Sequence, residues 1–120
     1  MATQTLTNIQ QSRQQLIQDL IECAFTCEQC AAACLNEENT MMFARSIELD
    51  RDCADICMLA SRLVVRDSEI TPEFLGVCES MCRTCAEECS KHNHDHCKAC
   101  AEACLSCAEA CRSVIGTDAT

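Results

Sequence analysis

Nonpolar residues recur at steps of three and four along four stretches of this sequence, which is the spacing of one face of an α-helix. Polar turns at 36–40, 66–70 and 90–96 separate the stretches, and Thr71-Pro72 offers a threonine N-cap followed by a first-turn proline. The chain contains only 2 Gly and 1 Pro, which favours helix throughout. The pattern predicts helices at roughly 8–36, 41–65, 72–90 and 95–115, preceded by a frayed polar segment.

Cysteine occupies the predicted inward face of every helix, where leucine or isoleucine is the usual residue. In the last helix five cysteines recur at steps of 3, 4, 3 and 4, so their side chains fall within an arc of roughly 80°. The first and third helices repeat steps of 4, 3 and 4, and the second helix has a single step of 4. The fifteen residues are Cys23, Cys27, Cys30, Cys34, Cys53, Cys57, Cys78, Cys82, Cys85, Cys89, Cys97, Cys100, Cys104, Cys107 and Cys111.

Short turns between helices of this length favour an antiparallel, up-down-up-down arrangement. The predicted fold is therefore all-α, a single four-helix-bundle domain of residues 1–120 with a cysteine-lined core. One end is expected to hold a nonpolar plug of Leu16, Leu20, Ala60, Val64, Phe74, Leu75 and Ile115. The other end, here called the mouth, collects the 36–40 turn, Met41, Met42 and the 90–96 turn. The expected inward line of the second helix is Met42, Ser46, Leu49, Cys53, Cys57, Ala60 and Val64.

Charge and composition exclude several kinds of partner. The net charge is −10 and no basic patch stands out, which argues against nucleic-acid binding. No nonpolar run approaches the roughly 18 residues of a membrane span, so we expect no membrane segment. No secretory signal is visible, so we expect a reducing, cytoplasmic setting. The odd number of cysteines and the nearly parallel Cβ vectors at i and i+4 disfavour a disulfide scaffold.

The thiol pattern fits metal binding better than ordinary packing. Free cysteine packs as a small hydrophobe, but fifteen of them in place of leucine would leave the core underfilled. Thiolates select Cu(I), zinc and iron–sulfur clusters. Structural zinc needs four converging ligands, and iron–sulfur clusters use compact motifs that end in proline, whereas these cysteines form rods. Cu(I) accepts two or three thiolates, which pairs at i and i+4 can supply.

A core of this kind can take up many Cu(I) ions without accumulating charge, because each ion displaces a thiol proton. If each thiolate bridges two ions, capacity approaches about one Cu(I) per cysteine, which is the stoichiometry of a store. No Ser/His/Asp constellation, phosphate loop or paired-carboxylate site is apparent, so we predict that the chain is not an enzyme.

The 3 histidines of the chain lie together in the turn before Cys97, as His92, His94 and His96. Imidazole suits copper, so we predict that they relay copper into the core, with solvated loop residues as the alternative. Met42 lies on the expected inward line near the mouth, and its thioether is a further candidate ligand.

Four segments carry a resemblance to a known family: C-A-F-T-C-E-Q-C-A-A-A-C-L-N-E, D-R-D-C-A-D-I-C, C-E-S-M-C-R-T-C-A-E-E-C and H-N-H-D-H-C-K-A-C-A-E-A-C-L-S-C-A-E-A-C. They are similar to the bacterial cytosolic copper storage proteins. The resemblance implies a cytosolic homotetramer that holds many Cu(I) ions between C-x-x-x-C thiolates, has histidines at its mouth and exchanges copper with donor or acceptor proteins. Other cytosolic members extend the thiol ladder where this chain has Leu16, Leu20 and Ser46, so we expect a smaller load and a dry lower end.

The residues alone leave two other functions open. A zinc or general thiolate buffer resembling a metallothionein would hold about one metal per three or four thiols. An iron–sulfur electron-transfer protein would be brown and would lose its colour on oxidation. A thiol-redox enzyme fits less well, because it needs an exposed cysteine with a low pKa and this pattern buries nearly all of them.

Overall fold

Four long helices form the bundle, each from a stretch with helical spacing. The computed structural model describes residues 2–118, with side chains described for residues 11–116. Helix α1 spans Ala2–Leu35, α2 spans Ala44–Val65, α3 spans Thr71–Cys89 and α4 spans Asp95–Asp118. A short 3-10 helix, Thr40–Phe43, leads into α2, and the described part of the chain contains no strand. The predicted all-α fold is confirmed.

Each helix packs against two neighbours, so that α1, α2, α3 and α4 follow one another around a ring. The connecting turns are short, which makes successive helices run in opposite directions as predicted. Their four inward faces therefore enclose one interior. Among residues 2–118, none of the helices has the length and hydropathy of a membrane span.

Three predicted helix boundaries are wrong. α1 begins at Ala2 rather than near residue 8, because residues 2–7 contain neither Gly nor Pro and continue the helix. α2 begins at Ala44 rather than near residue 41, since Thr40–Phe43 forms a tighter 3-10 turn. α4 continues through Gly116, whose φ is not positive, and ends at Asp118 rather than near residue 115.

The start of α3 uses its threonine differently from the prediction. Thr71 is the first residue of the helix, and Ile70 occupies the N-cap position. The Thr71 hydroxyl donates to the carbonyl oxygens of Ser68 at 2.6 Å and Leu63 at 3.3 Å, so it fastens the 66–70 turn instead of capping the helix. Pro72 lies in the first turn, where its missing N–H costs no helical hydrogen bond.

The end of the bundle opposite the mouth is closed by nonpolar side chains, as predicted. Its buried members, none more than 3% exposed, are Leu16, Leu20, Ala60, Val64 and Leu75. Phe74 and Ile115, which we also expected there, are partly buried and pack against the same core. This plug contains no thiol, so the cysteines occupy only the middle of the bundle and the half near the mouth.

α2 presents a different inward line from the predicted one. Phe43 and Asp50 are 1% and 0% exposed, whereas Met42 is 52% exposed and Leu49 is only partly buried. Strict alternation of steps of three and four, counted back from the first α2 cysteine, leads to Asp50, Ser46 and Phe43. The sequence favours Leu49 and Met42 as the inward-facing residues, because burying a nonpolar side chain costs less free energy than burying a carboxyl group. The predicted inward position of Met42 is wrong, and that of Ser46 is confirmed at 0% exposure.

Candidate metal centre

All fifteen cysteines line the interior of the bundle, and each is at most 1% exposed. All are free thiols, in agreement with the expectation that they form no disulfide scaffold. Sulfur atoms of neighbouring helices lie 3.6 Å apart for Cys27 and Cys104 and 3.7 Å apart for Cys57 and Cys82. Within α2, the sulfur atoms of Cys53 and Cys57 are 3.9 Å apart. The thiols therefore form one continuous ladder.

Sulfur atoms from different helices converge in groups of four, whose ligand atoms all lie within 4.8 Å of one another. These groups include Cys23, Cys53, Cys57 and Cys82; Cys23, Cys27, Cys53 and Cys104; Cys27, Cys85, Cys100 and Cys104; and Cys57, Cys78, Cys82 and Cys107. Each of these groups shares two cysteines with at least one other group, which is what bridging thiolates require. The view of the cysteines as separate rods is thus wrong, because neighbouring helices supply ligands from other directions.

His96 joins the thiol ladder at the mouth. Its Nδ1 atom lies 3.5 Å from Cys97 Sγ, 3.6 Å from Cys30 Sγ and 3.7 Å from Cys34 Sγ, and these four residues form a further group that could hold a metal ion. On the other side of the ring, Nε2 lies 3.2 Å from a carboxylate oxygen of Glu37. The imidazole is therefore held between a carboxylate and three thiols.

The other two histidines surround a buried phenylalanine. The Phe43 ring centroid lies 4.8 Å from that of His92, 5.0 Å from that of His94 and 6.2 Å from that of His96. His92 Nε2 and His94 Nδ1 are buried and make no hydrogen bond in the described structure, although a carboxylate oxygen of Glu88 lies 3.6 Å from His92 Nε2. The mouth thus combines a nonpolar centre with ring nitrogens that remain available to a soft metal ion.

A buried carboxyl group lies beside the thiol ladder, on the inward face of α2. Asp50 Oδ1 accepts hydrogen bonds from the thiols of Cys100 at 3.1 Å, Cys85 at 3.2 Å and Cys89 at 3.5 Å. Burial is the main cause that raises the pKa of Asp50, to about 10. The side chain is therefore a neutral carboxylic acid at neutral pH, and its second oxygen is buried without a described partner.

Burial also keeps the thiols near the mouth protonated. It raises the pKa of the Cys34 thiol, and it raises that of Cys97 to about 12, with the neighbouring Cys34 as the next cause. The thiols of Cys34 and Cys97 are thus uncharged without metal, and a monovalent ion that replaces one of their protons adds no net charge. A divalent ion bound by four thiolates would instead leave a buried net charge of −2.

The structure brings some of the predicted site residues together and separates others. All fifteen cysteines and His96 share the interior, whereas His92 and His94 lie outside the described four-residue group at the mouth. Met42 lies on the surface of the mouth. Sequence reasoning missed Glu37, Phe43 and Asp50. Strict step alternation along α2 could have found the last two, whereas Glu37 lies in a polar turn that carries no periodic signal.

The fold and the site together define a thiolate-lined helical bundle built to hold several metal ions. The chain belongs to the copper storage protein family, because the family model described as "Copper storage protein" matches residues 9–116. The resemblance stated from the sequence is confirmed.

Relatives and solved structures agree with this membership. The chain is 42% identical to an uncharacterized cysteine-rich protein of Bacillus subtilis, YhjQ, covering 88% of this chain and 98% of the relative. The Cu(I)-bound copper storage protein BsCsp3 is 43% identical, with a TM-score of 0.82 over 85% of this chain and 96% of that structure. A cytosolic copper storage protein from Streptomyces lividans, described with five coppers, is 34% identical, with a TM-score of 0.88 over 92% and 97% of the two chains.

Proposed function

We propose that this protein stores many Cu(I) ions on the thiolates of its core and performs no catalysis. The observation that carries the proposal is the set of overlapping four-thiol groups. Their cysteines are buried and free of disulfides, and the sulfur atoms of each group lie within 4.8 Å of one another. Copper-bound structures within the same family support it. The stored ions are cargo, so the protein's chemistry is limited to exchanging thiol protons for Cu(I).

We assign the storage ligands to the fifteen cysteines, with His96 as the nitrogen ligand nearest the mouth. His92 and His94 are proposed to pass copper inward, because each has a buried ring nitrogen free of hydrogen bonds. Met42 is exposed, so its thioether is available only to copper arriving at the surface. Leu16, Leu20 and Ser46 are buried positions where the family resemblance implies thiols in other members, and we expect them to limit the load.

Two wider features belong to the same proposal. A cytoplasmic location is supported by the Streptomyces lividans relative, which is described as cytosolic. Assembly with further copies, a homotetramer by the family resemblance, is supported by exposed nonpolar side chains along α1, where Ile21, Phe25 and Leu35 are 46%, 65% and 55% exposed. Exchange of copper with donor or acceptor proteins is part of the proposal as the route by which a store fills and empties.

Zinc buffering is a second candidate, because the converging groups of four thiols also offer tetrahedral coordination. The two functions differ in stoichiometry. A zinc buffer saturates at about one metal per three or four thiols, whereas bridged Cu(I) approaches about one per thiol.

Replacing Cys104 and Cys107 with alanine should lower the Cu(I) capacity by about two ions while leaving a folded helical bundle. Both sulfur atoms belong to the four-thiol groups, so their loss removes bridging positions. Anaerobic titration against a competing chelator gives the capacity, and circular dichroism gives the helix content. Ser106→Ala, on the exposed side of the same helix turn, is the matched control. An unchanged Cu(I) stoichiometry in C104A/C107A would contradict the assignment of the core thiols as storage ligands.

Replacing His92, His94 and His96 with alanine should slow copper loading more than it lowers capacity. The thiols still hold most of the cargo in this variant, but the ring nitrogens at the mouth are gone. Stopped-flow absorbance gives the loading rate and a titration gives the capacity on the same sample. A large loss of capacity at an unchanged rate would instead make the histidines storage ligands.

A further inference from the structure

The mouth contains a carboxylate that contacts two of the three histidines. Glu37 Oε1 lies 3.2 Å from His96 Nε2, and Oε2 lies 3.7 Å from His94 Nε2. The backbone N–H of Glu37 donates to the Cys34 carbonyl at 3.2 Å, and its carbonyl accepts from the Thr40 hydroxyl at 2.9 Å. The carboxylate therefore extends from an anchored backbone three residues after Cys34, the last cysteine of α1.

We propose that Glu37 is a positioning residue for the copper site at the mouth, fixing His96 in the tautomer whose Nδ1 lone pair faces the thiols. The inference rests on the proposed copper storage function and adds a residue to it. Glu37 itself does not bind the ion. It orients the His96 ring, which binds the ion, as carboxylates orient metal-binding histidines in other proteins.

The tautomer follows from the chemistry of the two sides of the ring. A carboxylate can only accept, so His96 Nε2 must carry the proton and donate it to Glu37. In the neutral ring Nδ1 is then unprotonated and accepts from the thiols of Cys30, Cys34 or Cys97 at 3.5–3.7 Å. The opposite tautomer would direct the Nε2 lone pair at a carboxylate and would place a proton where the metal ion binds. Cu(I) replaces the thiol protons and finds the Nδ1 lone pair already in place.

The other carboxylate beside these histidines has a different role. Glu88 lies 3.6 Å from His92, but it also pairs with Arg45 and Lys91 at 3.2 Å each. Those cations make Glu88 part of an ion-pair network between α2 and α3. In the described structure, Glu37 forms ion pairs only with histidines. Its contacts therefore support a role in orienting the imidazole rings.

Two variants and one matched control test this role. Glu37→Ala removes the acceptor, and Glu37→Gln restores an oxygen that can accept from Nε2. Glu38→Ala removes one negative charge from the adjacent, exposed position and so controls for electrostatic attraction of the cation. Loss of such a supporting partner typically weakens metal binding by about 10–100-fold. We expect that weakening for the first Cu(I) in E37A, a smaller one in E37Q and a change of about twofold or less in E38A.

The decisive readout is the tautomer of His96 in the reduced, copper-free protein. Nitrogen-15 NMR of the imidazole rings, assigned with H96A, should show an Nε2–H form in the wild type and in E38A. E37A should show a mixture of both tautomers. The affinity for the first Cu(I) is measured on the same proteins by competition with a chelator.

An unchanged tautomer in E37A overturns the proposal, and so does a changed tautomer that leaves first-copper affinity equal to that of E38A. Failure of the storage function is distinguishable from either result. In that case the wild type would saturate at a few Cu(I) ions, while the NMR comparison and the first-copper affinities would still report on Glu37.

Discussion

Saturating the reduced protein with Cu(I) is expected to raise its thermal unfolding midpoint by about 15 °C. The ions bridge thiolates that the folded bundle brings together, so binding favours the native state over the unfolded chain. One site filled at about 1,000 times its dissociation constant adds about 4 kcal/mol, and each kcal/mol moves the midpoint of a domain of this size by about 4 °C. Several sites fill together, and each adds to the shift to the extent that the folded core binds copper more tightly than the unfolded chain does.

Anaerobic scanning calorimetry of the copper-free and copper-loaded protein measures this shift. The C104A/C107A variant is the matched comparison, since it should hold about two fewer ions and gain less stability. An unfolding midpoint that does not move on saturation would contradict the account. It would mean that the thiols of the unfolded chain hold copper as well as the assembled core does.

Asp50 is expected to lower the stability of the copper-free protein by about 4 kcal/mol between pH 5 and pH 8, and D50N should remove that contribution. Burial raises the pKa of Asp50 to about 10, so the folded state keeps this proton, whereas the unfolded chain releases it above about pH 4. Between these values the folded state binds more protons than the unfolded state. Stability is therefore greatest below about pH 4 and falls by about 1.4 kcal/mol per pH unit as the pH rises towards the folded pKa.

Urea unfolding of the reduced, copper-free protein, followed by circular dichroism at several pH values, tests this expectation. Other titrating groups are shared by the two proteins, so the difference between wild type and D50N isolates Asp50. Asp52→Asn, an exposed position on the same helix, should retain the wild-type slope. Parallel pH profiles for wild type and D50N would show that the buried carboxyl group is not protonated as the structure indicates.

The bundle was predictable from the sequence because its strongest signal is periodic. Cysteines at steps of three and four must share a helix face, and short turns then force those faces inward together. The nonpolar plug at Leu16, Leu20 and Leu75 followed from the same arithmetic. The extension of α1 to Ala2 did not, since polar residues without Gly or Pro are compatible with either a helix or a frayed end.

The sequence predicted those features of the site that depend on residue spacing within a single helix. The grouping of Cys23 with Cys53 and Cys82 depends on how neighbouring helices pack, which no spacing within one helix encodes. Asp50 was missed because the cost of burying a charge favours Leu49, whereas the folded core avoids that cost by keeping Asp50 protonated. Glu37 acts through a contact with His96, 59 residues away along the chain.

The most direct test of the central claim is an anaerobic titration of the fully reduced protein with Cu(I) against a competing chelator. Thiols and bound metal are counted on the same sample, and Zn²⁺ is titrated in parallel. The account predicts roughly one tightly held Cu(I) per cysteine. Saturation at a few Cu(I) ions, or tighter binding of zinc at about one ion per four thiols, would contradict it.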